Sequence, residues 1–366
     1  MISAILDTFP QPRYCKPFSR AMGATAILGM CALSILLAAF SPARAEVPPF
    51  SVEAQPGWVI FDAKQGGAYH YGPSLIINPD GSIDAWFASP GGPGPGGQNQ
   101  WDWIRYRHSA DAGRTWTPDE VVLKPTEGSR DCQSVCDPGA IKMGAWYYLG
   151  VTAVEDPKGN DNEVFVCRGA KPDGPFEKWN GTGWGGSPQP ILPFRSPPDV
   201  WGLGEPSFVA KGATLFIYYT RNDRDEKGKP RSVTLVATAP ANDPNWPARV
   251  VPMGKAFDRE EAEDSADVKF DDTYGLFVAV SSAMRLTPRS HLNYRWSKDG
   301  IHFSGPGRIT GPLMTFAHNM GISGTPDGHI DHAKKNFIAY AYSTGERPGV
   351  SWAYWSTYLN PITFKP

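Results

Sequence analysis

Hydrophobic and polar positions alternate along this chain in short bursts, not in long stripes. The bursts are broken by Gly, Pro and Asp, which is the pattern of strands joined by tight turns. Three stretches share one plan: "YGPSLIINPDGSIDAWFAS" from Tyr71, "CDPGAIKMGAWYYLGVTA" from Cys136 and "GEPSFVAKGATLFIYYTR" from Gly204. Each sets a small or acidic residue before Pro, runs through a short apolar segment and a Gly turn, and ends in an aromatic-rich alternating run. That is a hairpin signal. "DSADVKFDDTYGLFVAVSSA" from Asp264 and "HNMGISGTPDGHIDHAKKNFIAYAYST" from His318 follow the plan more loosely. Aligned at the first strand, the copies begin near Gly72, Asp137, Glu205, Ser265 and Asn319, at separations of 65, 68, 60 and 54 residues. Periods of that length hold four strands and their loops, which is a propeller blade and not a solenoid turn. A third strand shows in "WIRYRHSA", "NEVFVCRGA", "SVTLVATA", "HLNYRWSKD" and "VSWAYWST". The expectation is an all-β fold, a single five-bladed β-propeller over residues 46–366.

The remainder, residues 1–45, reads as a secretory signal peptide. Arg13, Lys16 and Arg20 precede an apolar run from Ala21 to Phe40, and Ala43-Arg44-Ala45 offers a cleavage site before Glu46. A run of that length also suits a permanent anchor, but the cleavage residues favour removal, with no stable membrane span afterwards and a secreted or periplasmic product. Removing the leader takes four of the 35 basic and one of the 37 acidic residues, leaving a net charge of −5. Such a chain has no basic footprint for nucleic acid. The 39 Gly and 36 Pro in 366 residues suit many turns better than helices. Cys132, Cys136 and Cys167 remain, an odd number in an oxidising compartment. At most one bridge forms, with Cys132 or Cys136 pairing with Cys167. Nothing in the composition suggests more than a monomer.

"SADAGRTW", Ser109 to Trp116, has the pattern of an Asp box, a turn between outer blade strands, and "SKDGIHF" from Ser297 is a looser copy. Asp111 and Asp299 cap these turns, Gly takes the left-handed position, and Trp116 or Phe303 packs between sheets. Both aspartates are therefore assigned to structure. The innermost strand of each blade lines a propeller's channel, so strand starts about sixty residues apart converge at one end of the axis. His70 or Tyr71, Asp137, Glu205, Asp264, and His318 or Asn319 meet there by that geometry. Two carboxylates with polar neighbours are what hydrolysis of a glycosidic bond requires, one as acid and one as base or nucleophile. Trp101 and Trp103 lie in "QNQWDWIRY" after the run "SPGGPGPGG" and are candidates to stack on a sugar, although blade packing explains them equally well.

The motifs "CDPGAIKMGAWYYLGVTA", "GEPSFVAKGATLFIYYT", "GPF" at Gly174 and "AHNMGIS" at Ala317 resemble the five-bladed glycoside hydrolases of the arabinanase, arabinofuranosidase and β-xylosidase group, family 43 and its relatives. The resemblance implies an oligo- or polysaccharide substrate of arabinofuranoside or xyloside type. It implies no cofactor for the chemistry, with a structural calcium or a water at the propeller axis near His318. It also implies that Asp137 tunes and orients the acid and that Glu205 is the acid. The expected base, an Asp opening blade one, is missing, because Gly72 stands in "HYGPS". Three alternatives stay open. The base comes from Asp264, Asp62, Asp102 or Asp267, with Asp264 best placed; or Tyr71 is a nucleophile, as in sialidase-like propellers; or the pocket binds carbohydrate without cleaving it.

Overall fold

In a computed structural model, described here for residues 48–63, 69–91, 101–195, 197–343 and 355–366, the chain forms five sheets, antiparallel except where His329–Ile330 pairs in parallel with Ala266–Asp271. The leader and the glycine-rich run 92–97 lie outside the described residues. Blade one is Tyr71–Ile77, Ile83–Pro90, Asp102–Ser109 and Glu120–Leu123, from axis to rim. Blade two is Ser134–Met143, Trp146–Val154, Glu163–Gly169 and Glu177–Lys178; blade three is Gly202–Lys211, Thr214–Arg224, Pro230–Pro240 and Val251–Asp258. Blade four runs from Ala266–Asp271 through Leu276–Ala283 and His291–Ser297 to Gly307–Arg308. Blade five joins Ala317–Ile322, Asn336–Ser343 and Trp355–Lys365 to the N-terminal strand Ser51–Ala54. Both ends of the described chain thus share one sheet and seal the ring. The five-bladed β-propeller expected from the repeat is the fold observed. Among the described residues no helix is long and apolar enough to cross a membrane.

Contacts between successive innermost strands close the circle. The Ala140 N–H donates to Ser74 Oγ (2.9 Å), the Val268 N–H to Ser207 Oγ (2.9 Å) and the Ile322 N–H to Asp267 Oδ2 (2.8 Å). At the other two junctions glycine is required. A Cβ on Gly139 would stand 2.0 Å from the Pro206 carbonyl, and one on Gly321 2.0 Å from that of Pro73. Backbone packs on backbone there. Between the blades lies an aromatic core, with Trp86, Tyr148, Phe208, Trp246, Phe277 and Tyr340 fully buried.

In both outer turns the aspartate caps the backbone that follows it, one residue sooner at Asp299 than at Asp111. Asp111 Oδ1 accepts the N–H groups of Arg114 and Thr115, and Asp299 Oδ1 those of Ile301 and His302. The three cysteines are free. Cys136 pairs with Thr152, and Cys167 with Leu149, on opposite sides of the strand Trp146–Val154. Two sheet spacings of about 4.8 Å separate them, beyond disulfide reach; the expected bridge to Cys167 from Cys136 is not formed.

Candidate active site

Four of the five innermost strands open on a β-bulge at the same register. The pairing shifts between Tyr71 and Ser74, Cys136 and Gly139, Gly204 and Ser207, and His318 and Met320. Within each bulge one residue takes positive φ: Gly72 (58°), Asp137 (47°), Glu205 (53°) and Asn319 (35°). Left-handed backbone is costly for Asp and Glu, and bulges of this kind re-aim side chains. Here they aim Asp137, Glu205 and Asn319 into an axial cavity shared with Gly72, Ser265 and Asp267. Blade four opens without a bulge.

Glu205 is buried and multiply held. Oε2 accepts from Thr220 Oγ (2.5 Å) and Arg259 Nη1 (3.4 Å), while Oε1 accepts from Asn319 Nδ2 at 3.4 Å. Burial pushes its carboxyl up to about 7, helped by the Asp264 charge and opposed by Arg259. Asp137 shares that cavity. Its hydrogen bonds come from Cys136 Sγ (3.4 Å) and the Thr152 hydroxyl, which in turn accepts the Glu205 N–H at 2.7 Å. Burial and the Glu205 charge raise Asp137 well above the ordinary carboxylate range. Burial and mutual repulsion thus favour keeping a proton on the pair.

Asp264 behaves in the opposite way. Oδ1 accepts from Arg285 (2.6 Å) and faces Arg259 at 3.6 Å; Oδ2 accepts from His318 Nδ1 (2.9 Å) and the Asn319 N–H (3.1 Å). Burial opposes its ionisation, but the Arg285 charge, the His318 bond and Arg259 outweigh it and hold Asp264 well below its usual range. A carboxylate with both oxygens so engaged is a weak base and a firm anchor. Burial lowers the pKa of His318, against the pull of Asp264; its Nε2 and Asn319 Oδ1 are buried and without a hydrogen-bond partner among the described residues.

Several expected residues sit elsewhere. His70 is stacked on Phe61 (3.6 Å between centroids) with Nε2 on Asp119, in the seam between blades five and one, because alternation along a strand turns it away from the side of Tyr71. Tyr71 does face the axis, stacking on His318 at 5.7 Å, but its hydroxyl donates to Asp102 Oδ2 (3.0 Å) and burial pushes it well above 10. That disfavours a tyrosinate nucleophile. Asp102 also accepts from Tyr69 (2.5 Å), and burial raises it to about 6. Trp101 packs on Gly159 of a blade-two loop, and Trp103 lies under the Lys124 ammonium at 4.5 Å. Both buttress blades. Asp62 follows Trp58–Phe61, which pairs on the outer side of blade five.

A calcium ion takes six to eight oxygens; beside His318, where one was expected, the described carboxylate Asp264 has both oxygens engaged by Arg285, His318 and the Asn319 N–H. Asp267 gives Oδ1 to Ser207 (2.6 Å) and to the buried Lys269 ammonium (2.6 Å), and Oδ2 to the Ile322 N–H. Lys269 supplies positive charge beside the axial carboxylate. Among the described residues no group of three or more His, Cys, Asp or Glu is arranged to hold a metal.

No protein family pattern and no curated protein matches the sequence. Solved structures match in fold. A family 117 glycoside hydrolase of the marine bacterium Zobellia galactanivorans superposes with a TM-score of 0.59 at 18% identity, over 86% of this chain and 90% of that one. The chain shares the propeller of glycoside hydrolases. An α-L-arabinofuranosidase from Podospora anserina, solved with cellotriose, gives 0.56 at 10% identity over 86% and 97%. A thermostable family-43 glycoside hydrolase gives 0.57 at 12% over 82% and 93%.

Sequence reasoning missed Arg259, Arg285, Thr152 and Thr220. The two threonines carried a signal: each stands 15 residues after the carboxylate it serves, Asp137 and Glu205, in aligned copies of the repeat. The arginines come from loops, where no periodicity marks them.

Proposed function

We propose that this protein is a secreted or periplasmic glycoside hydrolase, acting on arabinofuranoside- or xyloside-type linkages, with Glu205 as general acid. The observation that supports this most is the setting of Glu205: it lines the axial cavity with Oε2 held by Thr220 and Arg259 and Oε1 in a long contact with Asn319, and burial pushes its carboxyl up to about 7. A protonated carboxyl near neutral pH is what the leaving glycosidic oxygen needs. Asp137 beside it keeps the proton on the pair, and Thr152 fixes their relative orientation. The neighbours in fold, glycoside hydrolases of families 117 and 43 and an arabinofuranosidase, agree in class. Gly72 in the usual base position favours a second reading, a propeller that binds carbohydrate without cleaving it.

Hydrolysis of aryl arabinofuranosides, aryl xylosides and a polysaccharide panel by the natural protein and by Glu205→Gln separates these readings. The hydrolase reading expects cleavage by the natural protein and a loss of about a thousandfold in the variant. Binding of glycans with no cleavage of any of them refutes it.

A further inference from the structure

The hydrolase reading lacks a group to activate water, and the carboxylate best placed for it by sequence, Asp264, is engaged on both oxygens. Resting on that reading, we infer that His318 Nε2 is the general base and that Asp264 is a positioning residue acting through it. The dyad geometry is explicit. Asp264 Oδ2 lies 2.9 Å from His318 Nδ1, so Nδ1 carries the proton and Nε2 presents its lone pair. Nε2 is buried and has no hydrogen-bond partner among the described residues. A bound water or substrate hydroxyl would supply the hydrogen bond that this buried atom lacks.

The surroundings fix the ring and define what it does. Tyr71 stacks on one side at 5.7 Å and Trp355 lies 4.2 Å away at a tilt. The charged groups that act on it are Asp264 and Arg285; the Asp264 bond favours the imidazolium and Arg285 opposes it, with burial keeping the resting ring neutral. The next residue, Asn319, connects base to acid: its N–H is on Asp264 Oδ2 (3.1 Å) and its Nδ2 on Glu205 Oε1 (3.4 Å). Acid and dyad therefore flank Asn319, whose own Oδ1 is also unpartnered.

In the reaction, water attacks the anomeric carbon as His318 Nε2 takes one of its protons. The glycosidic C–O bond breaks, its electron pair stays on the leaving oxygen, and that oxygen takes the Glu205 proton. One water has been added across one bond. The imidazolium then returns a proton to Glu205 through solvent.

Azide tests the assignment, because it attacks the anomeric carbon without a base. His318→Ala is expected to lose about a hundredfold to ten-thousandfold in kcat, to regain at least tenfold with added azide, and to yield the glycosyl azide of inverted configuration. His318→Gln, which keeps the ring's volume and polarity more closely, is expected to show the same loss and rescue if the alanine variant folds poorly. Near-natural activity in a folded His318 variant, loss without azide rescue, or rescue confined to Asp137→Ala or Asp264→Ala would overturn the inference while leaving the hydrolase reading intact. If the natural protein cleaves no glycoside, it is that reading which fails, and this one with it.

Discussion

Blades three and four open on neighbouring carboxylates that reach opposite protonation states. Glu205 sits on a bulge with positive φ and lines the cavity, and burial raises its carboxyl to about 7. Asp264 sits on an unbulged start, one residue before the cavity-lining Ser265, and two arginines and a histidine hold it ionised. Both are buried, so burial alone decides nothing. The count and closeness of cationic and N–H partners decide which carboxylate keeps its proton, and hence which suits acid chemistry and which suits anchoring.

The largest break in that comparison is expected from Asp264→Ala. It removes the acceptor for Arg285, His318 and Asn319 and leaves Arg259, only 2% exposed, without its ionised partner. Loss of one partner from a buried ion cluster costs about 3–5 kcal/mol, read by urea unfolding. Glu205→Gln at pH 6 exchanges one neutral group for another and is expected to cost about 1 kcal/mol or less.

The pH dependence of stability sharpens the contrast. Glu205 keeps its proton in the folded state up to about 7 but loses it near 4.5 when unfolded. The folded form binds more protons in between, so this group's contribution to stability falls as pH rises through that window. Asp264, depressed below 3.8, contributes stability that is present above that value and lost as pH falls through the lower folded one. Urea midpoints across pH are expected to lose the neutral-range decline in Glu205→Gln and to lose part of the acid-range decline in Asp264→Asn. Unchanged slopes in both would show that neither carboxylate titrates as described.

Two smaller effects probe the frame. Gly72 occupies φ 58°, and a Cβ there would lie 3.2 Å from Asp137 Cα. Gly72→Ala is expected to cost about 1–2 kcal/mol for the left-handed backbone, and a neutral outcome by thermal unfolding would mean that the slot tolerates the side chain the resemblance led one to expect. Thr220→Val removes a hydrogen bond that favours ionised Glu205; the alkaline limb of kcat/KM is expected to move upward by less than about one pH unit.

The blades were legible in sequence because each hairpin is a local signal repeated five times. Glu205 and Asp137 were legible for the same reason: the repeat brings their strand starts to one axis. What escaped depended on contacts without period. Arg259 and Arg285 arrive from loops and turn Asp264 from the best-placed base into an anchor. His70 was misplaced because adjacent residues on an extended chain face opposite ways, and the repeat did not say which of His70 and Tyr71 looks inward. Lys269, whose ammonium neutralises the axial carboxylate Asp267, is one lysine in an otherwise ordinary strand.

The role of Glu205 as acid is tested most directly by the leaving-group dependence of Glu205→Gln. With a dinitrophenyl glycoside, whose leaving oxygen needs no proton, the variant is expected to stay within about tenfold of the natural protein; with an alkyl glycoside of the same sugar it is expected to fall by about a thousandfold. Equal loss on both substrates would contradict the account, because a group that donates the proton matters only where one is needed.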